Sequence, residues 1–183
     1  MFERTIAYHC APAMAGIKPS NLVSCSKSKY PDVHQQIDAL NSKLNPEDLY
    51  LDIVCECPSR VLLIVYRRAN LLAQLRDPAV AAFLESYGYD PDGSLEDYLE
   101  LLSERLDCDK FPHEIGAFLG YPLHDIAGFI RCQGRDCLYV GDWKVYDDLD
   151  TAKKTFFRYK VCRKAVLQKV VRGQSLSQIF VAA

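Results

Sequence analysis

The side chains best suited to chemistry are concentrated between Phe111 and Tyr146. Histidine, carboxylate, amine and phenol groups occur together there, and such groups bind anions or transfer protons. An earlier segment, near the start of the chain, adds a thiol and a further amine. The candidate ligand-binding residues are Cys10, Lys18, His113, Glu114, Lys144 and Tyr146. They fit several kinds of activity, because no single reaction requires this combination at this spacing.

Zinc binding is a second chemistry that this region offers. Cys108 and His113 are separated by four residues, as are Cys132 and Cys137, and thiolate and imidazole are zinc ligands. The spacing is looser than the Cys-x-x-Cys knuckle of most structural zinc sites. A zinc ion held by these four residues is therefore one hypothesis, and thiols without metal are the alternative.

DNA binding through a helix-turn-helix is a third hypothesis. Gly116, Gly120 and Ile126 have the spacing of such a motif, with a tight turn between two short helices. The second helix would open at Pro122, and it has no arginine or lysine before Arg131 to contact phosphate or guanine. Close packing of two helices at the glycines explains the same pattern without DNA.

A small enzyme that uses the same groups is a further alternative. His113 and Glu114 lie in the first predicted turn of a helix led by Pro112, where the helix dipole favours a carboxylate. Neighbouring residues on a helix diverge by about 100°, so these two side chains do not automatically face one substrate. The same limit applies to His9 and Cys10. Catalysis would need a group from a distant segment.

The composition is that of an ordinary folded domain. The chain has 183 residues, of which 49% are hydrophobic and 25% charged, as in most globular proteins. This length suits one core, so we expect a single domain over residues 1–183. The formal net charge of −2 gives no overall attraction to nucleic acid or to an anionic membrane. No apolar run approaches the roughly 20 residues of a membrane span, so we expect a non-membrane protein.

Charge and cysteine content add two expectations. The segment from Asp77 to Asp109 is mainly acidic, whereas every charged residue after Asp150 is basic. Two solvated helix faces lying near each other explain this, and a surface for phosphate or an acidic partner is the alternative. The chain is rich in cysteine, with eight, and has no signal-peptide pattern, so we expect thiols in a reducing cytoplasm. Alternation and helical spacing predict core positions for Cys55, Cys57 and Cys162.

The predicted elements do not alternate strictly. Strands are predicted at 21–25, 49–57, 61–66 and 138–146, and the second and third form a hairpin. Helices are predicted after Pro31, after caps at Asp77 and Ser94, twice within 112–130, and over 152–170. Residues 176–181 form either a last strand or a docked tail. This order predicts an α+β fold, with a mostly antiparallel sheet of about four strands covered by several helices.

Several blocks of the sequence together resemble one family. They are His-Cys-Ala-Pro at 9–12, Gly-Ile-Lys at 16–18, Phe-Pro-His-Glu-Ile-Gly at 111–116, Phe-Leu-Gly-Tyr-Pro at 118–122, and Trp-Lys-Val-Tyr at 143–146. With these blocks the chain resembles the domain of unknown function 3793 family through nearly its whole length. The resemblance implies a bacterial cytoplasmic protein. It supplies no activity, fold or ligand.

These patterns together predict a binding or accessory module. Its site is expected between the helices of 112–130 and the strand at 141–146, with the Cys10–Lys18 segment close by. In a strand, Trp143 would face inward and Lys144 would face a cleft or the surface. The expected partner is a small molecule or another protein. A deep polar pocket would favour the enzyme, and an exposed second helix with basic surroundings would favour DNA.

Overall fold

The computed structural model describes residues 1–106 and 111–181. Three strands form its central antiparallel sheet, in the order β1-β3-β2. They are β1 (Ser20–Ser26), β2 (Leu49–Glu56) and β3 (Arg60–Arg67). β2 and β3 form the predicted hairpin, which is confirmed. β3 takes the centre because most of its residues are apolar, so both of its faces can be buried.

Helices cover both faces of this sheet, which confirms the α+β class. In chain order they are α1 (Phe2–Met14), α2 (Val33–Leu44), α3 (Arg68–Leu75), α4 (Pro78–Glu85), α5 (Leu95–Leu106), α6 (Ile115–Phe118), α7 (Leu123–Arg131), α8 (Leu149–Val171) and α9 (Leu176–Phe180). None of the helices in the described ranges combines the length and hydropathy needed to cross a membrane.

The alternation of β3 separates the two larger core clusters, and a third, smaller cluster surrounds Trp143 and Val145. Val61, Leu63 and Val65 face a cluster that contains α1, α2, α9 and part of α8. Ile64 and Tyr66 face the other cluster, which contains α3 to α7. Basic α8 packs on α1 on one side of the sheet, whereas acidic α5 packs on β2 from the other side. The expectation that the two charged segments lie near each other is wrong.

The predicted helix caps are confirmed. The Asp77 carboxylate accepts the backbone N–H groups of Ala79 at 3.0 Å and Val80 at 3.3 Å, and α4 starts there. Ser94 and Asp97 exchange hydrogen bonds at the start of α5. Such caps satisfy donors that have no partner within the helix. The tail after α8 is docked on the core as predicted, and it is helical rather than extended.

The single strand predicted over 138–146 is wrong. The structure has a small hairpin here instead, formed by β4 (Tyr139–Val140) and β5 (Lys144–Val145). The chain turns at Gly141, whose backbone N–H donates to the carbonyl of Trp143 at 2.9 Å. Gly141 also lies so close to the ring of Phe156 that a Cβ atom would overlap it. The turn therefore lies against α8, and the hairpin packs there instead of joining the sheet.

Candidate functional site

One buried carboxylate fastens the β4–β5 hairpin to α7. Asp125 is only 2% exposed and lies in the first turn of α7, where the helix dipole favours negative charge. Its Oδ2 atom accepts the indole N–H of Trp143 at 2.7 Å. Its Oδ1 atom accepts the backbone N–H groups of Tyr146 at 2.6 Å and Asp147 at 3.1 Å. The position of the hairpin therefore depends on this side chain.

A second contact fastens the same hairpin to α8. The Arg163 guanidinium donates to both carboxylate oxygens of Asp142, at 2.5 and 3.0 Å. The Tyr121 hydroxyl, from the turn before α7, donates to the Asp142 backbone carbonyl at 3.1 Å. Bidentate pairing of this kind fixes orientation as well as distance. The hairpin is thus held between two helices.

A cavity of about 310 Å³ lies between α6, α7 and the hairpin. Aromatic rings form much of its lining, and the side chains of a histidine and a lysine also reach it. The aromatic rings are those of Phe111, Tyr121, Phe129 and Trp143, and the two polar side chains are His113 and Lys144. Asp125 also borders the cavity, but its oxygens already accept three N–H groups. The cavity is therefore mostly apolar, with few polar groups that a ligand could engage.

Two of the predicted ligand-binding residues reach this cavity. Lys144 Nζ donates to the carbonyl of Gly134 at 2.7 Å and lies 5.7 Å from the centre of the Phe129 ring. The His113 ring also lines the cavity. It packs edge-on against the Phe129 ring, and the two ring centroids are 5.1 Å apart. An ammonium has three donors, and one hydrogen bond to Lys144 Nζ is found within the described residues. The remaining donors can serve a ligand.

Glu114 faces a neighbouring cavity of about 440 Å³, which shares His113 and Phe111 with the first. The Glu114 carboxylate is 1% exposed and forms an ion pair with Arg105. The Arg105 guanidinium also lies 5.6 Å from the centre of the Tyr87 ring. The ion pair with Arg105 joins the start of α6 to α5, so Glu114 has a structural role.

Cys10 and Lys18 are both buried, and neither lines the aromatic cavity. Cys10 lies on the buried face of α1, where burial raises the pKa of its thiol. Lys18 is 4% exposed, with Nζ 5.2 Å from the Tyr121 ring centre and 5.7 Å from that of Tyr159. Burial lowers the pKa of Lys18 to about 8. Lys18 therefore contacts the cavity wall only indirectly, through Tyr121.

Tyr146 does not line the aromatic cavity. Its ring packs on Gly128, where a Cβ atom would come within 2.5 Å of Tyr146 Cγ. Its hydroxyl is buried and has no hydrogen-bond partner among the described residues. Burial, followed by the nearby thiols of Cys137 and Cys132, raises the pKa of Tyr146. The residue is thus part of the packing between α7 and the hairpin.

The zinc hypothesis stays a prediction. One of its four ligands, Cys108, lies outside the described residues. Within the described ranges, no group of three or more histidine, cysteine, aspartate or glutamate side chains is close enough to hold a metal ion. Cys132 and Cys137 lie near Tyr146, whereas His113 lines the cavity.

The DNA-binding hypothesis also stays a prediction. Its first helix, α6, is a single turn of four residues. A Cβ atom on Gly116 would lie 2.9 Å from Ile126 Cγ1, so the glycine allows the two helices to approach closely. Gly120 has a positive φ of 66° and packs on Pro19, so it is needed for the turn itself. Helix packing therefore accounts for both glycines.

Comparison with protein families gives a match, and the matched range includes the residues that line the aromatic cavity. The family profile described as "Protein of unknown function (DUF3793)" matches residues 6–180. The chain belongs to the DUF3793 family. This match confirms the resemblance seen in the sequence blocks. No curated protein and no solved structure matches the chain significantly.

Several residues that build the candidate site of this DUF3793 member were not predicted from the sequence. Asp125 was not among the candidate ligand-binding residues, because its three N–H partners lie 18 to 22 positions further along the chain. Tyr121 and Phe129 were also absent from the candidate ligand-binding residues. Trp143 was predicted to face inward, and its burial confirms this. The one local sequence signal for a buried Asp125 was its place in the first turn of a predicted helix, next to an apolar residue.

Proposed function

We propose that this protein binds a small planar molecule that is mostly apolar and carries one anionic group. The aromatic cavity beside Lys144 carries the proposal. The proposal includes a single domain over residues 1–183, because the two larger core clusters share the three strands of the sheet. It also includes the bacterial cytoplasm as the location, since a reducing compartment suits a chain with eight cysteines.

The shape of the ligand follows from the rings that border the cavity. Tyr121 and Trp143 are tilted by 31° with centroids 5.2 Å apart, and Phe129 also borders the space. Aromatic faces favour flat partners that stack on them or meet them at an edge. A volume of about 310 Å³ lies at the small end of the usual range for ligand pockets. The expected ligand is therefore small and flat.

The anionic group follows from Lys144. Its ammonium is held by the Gly134 carbonyl at the cavity, and a charged donor in mostly apolar surroundings is stabilised by a negative partner. The Asp125 carboxylate does not compete with the ligand anion for Lys144, because it already accepts three N–H groups. A carboxylate or sulfonate on the ligand would complete the site.

Binding has more support than catalysis. The two buried carboxylates near the cavity, Glu114 and Asp125, are held by Arg105 and by three N–H donors respectively. A general base needs a free lone pair within reach of the substrate proton. His113 remains as the only candidate base that lines the cavity within the described residues. We therefore place the enzyme second.

Fluorescence can test the proposal, because Trp143 is the only tryptophan of the chain and lines the cavity. The probe is 1-anilinonaphthalene-8-sulfonate, a flat aromatic anion. We expect one probe per chain, with energy transfer from Trp143. Lys144→Met should weaken binding about tenfold, because an ionic hydrogen bond contributes about 1.5 kcal/mol or more. Phe129→Ala should weaken it by a similar factor.

Two matched variants on the outer face of α8 serve as controls. Lys164→Met and Phe157→Ala change an exposed lysine and a 67% exposed phenylalanine, and both should leave probe affinity unchanged. Circular dichroism would show that all four variants are folded. The proposal would be contradicted if Lys144→Met and Phe129→Ala left the probe affinity unchanged, or if Phe157→Ala lowered it.

A further inference from the structure

A register shift near the end of β2 changes where two cysteines lie. Ile53 pairs with Leu63, but Cys55 pairs with Leu62, so the ladder is irregular between them. Residues that face each other across strands share a side of the sheet. Since Leu62 and Leu63 point to opposite sides, the shift moves Cys55 to the side of α5.

The predicted core positions of Cys55 and Cys57 are therefore wrong. Both are half-buried, and both line a cavity of about 240 Å³ beside the β2–β3 turn. Ser24, which also pairs with Leu62 across the sheet, and Arg60 border the same space. Two thiols, a hydroxyl and a guanidinium thus surround one small cavity. This cavity shares Phe111 with the aromatic cavity beside Lys144, but neither Cys55 nor Cys57 lines that aromatic cavity.

The turn from Cys57 to Arg60 surrounds the Cys57 sulfur with donors. The Cys57 backbone N–H donates to the Arg60 carbonyl at 2.9 Å, which closes the turn. Ser59 Oγ lies 3.3 Å from Cys57 Sγ. The Ser59 hydroxyl and the backbone N–H groups of Ser59 and Arg60 lower the pKa of Cys57 to about 7. A thiolate is the nucleophilic form of cysteine.

Other cysteines contrast with Cys57. Burial raises the pKa of Cys10, Cys25 and Cys162, so these thiols stay protonated at neutral pH. Reactive cysteines in proteins combine exposure with donors or positive charge around the sulfur. Cys57 has both, and an adjoining cavity to receive a partner.

We infer that Cys57 is a thiolation site, which exchanges with low-molecular-weight disulfides that carry carboxylate groups. The Cys57 sulfur attacks one sulfur of the disulfide, and a new S–S bond forms as the old one breaks. The other half of the disulfide leaves as a thiolate, so the disulfide is the only oxidant needed. Arg60 binds the carboxylate of the incoming group.

Thiol labelling kinetics with 5,5′-dithiobis(2-nitrobenzoate) test this inference on the full chain. We expect one thiol of the folded protein to react in a fast phase, with a rate midpoint near pH 7. At pH 7 it should react about five times faster than an ordinary exposed thiol, because its greater ionisation is partly offset by lower nucleophilicity. Buried thiols should react far more slowly.

Variants assign this phase and its cause. Cys57→Ser should remove the fast phase, whereas the control Cys137→Ser, at another half-buried cysteine, should keep it. Ser59→Ala should raise the rate midpoint by about one pH unit, since a hydrogen bond to the thiolate is lost. Arg60→Gln should slow exchange with oxidised glutathione about threefold and leave exchange with cationic cystamine unchanged.

Two results would overturn the inference. The first is a fast phase that survives Cys57→Ser in protein whose circular dichroism matches the wild type. The second is a wild-type protein in which all accessible thiols react at one rate. Neither result bears on probe binding beside Lys144, because the two cavities share neither thiol.

Discussion

Replacing Asp125 with alanine is expected to destabilise the protein by about 4 kcal/mol, since each buried donor left without an acceptor costs about 1–3 kcal/mol. Three N–H groups lose their acceptor in this variant: the Trp143 indole and the backbone amides of Tyr146 and Asp147. Urea unfolding followed by circular dichroism measures the change. The emission of Trp143 should also shift to the red, because water can then reach the indole.

Asparagine at the same position separates the two functions of the carboxylate. Asp125→Asn keeps one oxygen for the backbone amides but places an NH₂ group against another donor, so about half of the loss is expected. Asp38→Ala, at an exposed aspartate of α2, is the matched control and should change stability little. If Asp125→Ala lay within 1 kcal/mol of the wild type, the carboxylate would not be what holds the hairpin.

Replacing Lys18 with methionine is expected to stabilise the protein by about 3 kcal/mol at pH 7, since each unit of pKa shift corresponds to about 1.4 kcal/mol. The Lys18 ammonium is buried, and its pKa is lowered to about 8 chiefly by loss of solvent. No ion pair or hydrogen bond to this amine is found in the described part of the chain. Methionine has a similar volume and carries no charge to desolvate.

The pH dependence gives this prediction a definite sign. A lysine whose folded-state pKa lies below its unfolded value binds fewer protons in the folded state. The wild type should therefore gain stability as pH rises from about 8 towards 10, whereas Lys18→Met lacks this gain. Asp142 and Cys10 raise the pKa of Lys18, and Arg163 lowers it. These neighbours are the same in both proteins.

The advantage of Lys18→Met should therefore shrink as the solution becomes alkaline. The buried thiols and phenols work in the opposite direction above about pH 9, because their folded-state pKa values are raised. Both proteins share these groups, so the difference between the two unfolding free energies isolates Lys18. Lys160→Met, on the exposed face of α8, is the control. A variant less stable than the wild type at pH 7 would refute the argument.

Much of the fold follows from local patterns. The β2–β3 hairpin, the cap at Asp77 and the apolar stripe of α8 depend on residues within a few positions of each other, so sequence spacing identifies them. Helix α1 was not predicted, because Pro12 interrupts its helical pattern. The Ala13 N–H donates instead to Asn21 Oδ1 at 3.1 Å. That compensation comes from the next strand and is invisible to a local pattern.

The site depends more on distant contacts than the fold does. Residue type alone suggested Glu114 and Tyr146 as ligands, but Arg105 holds the first and Gly128 packs on the second. Spacing could not show these neighbours. For Cys57, alternation predicted burial, and one irregular step in the ladder reversed it. A single bulge thus moves a side chain from the core to a half-buried position on the other face of the sheet, without any change in composition.

The β4–β5 hairpin forms one wall of the aromatic cavity without belonging to the central sheet. The hairpin is held by the side chains of Asp125 and Asp142 and not by the hydrogen-bond ladder of the central sheet. It can therefore detach in a sub-global fluctuation that costs less free energy than unfolding β3. Amide hydrogens of Tyr146 and Asp147 should accordingly exchange with deuterium sooner than those of the sheet. Such transient opening of the hairpin would let a ligand enter the aromatic cavity.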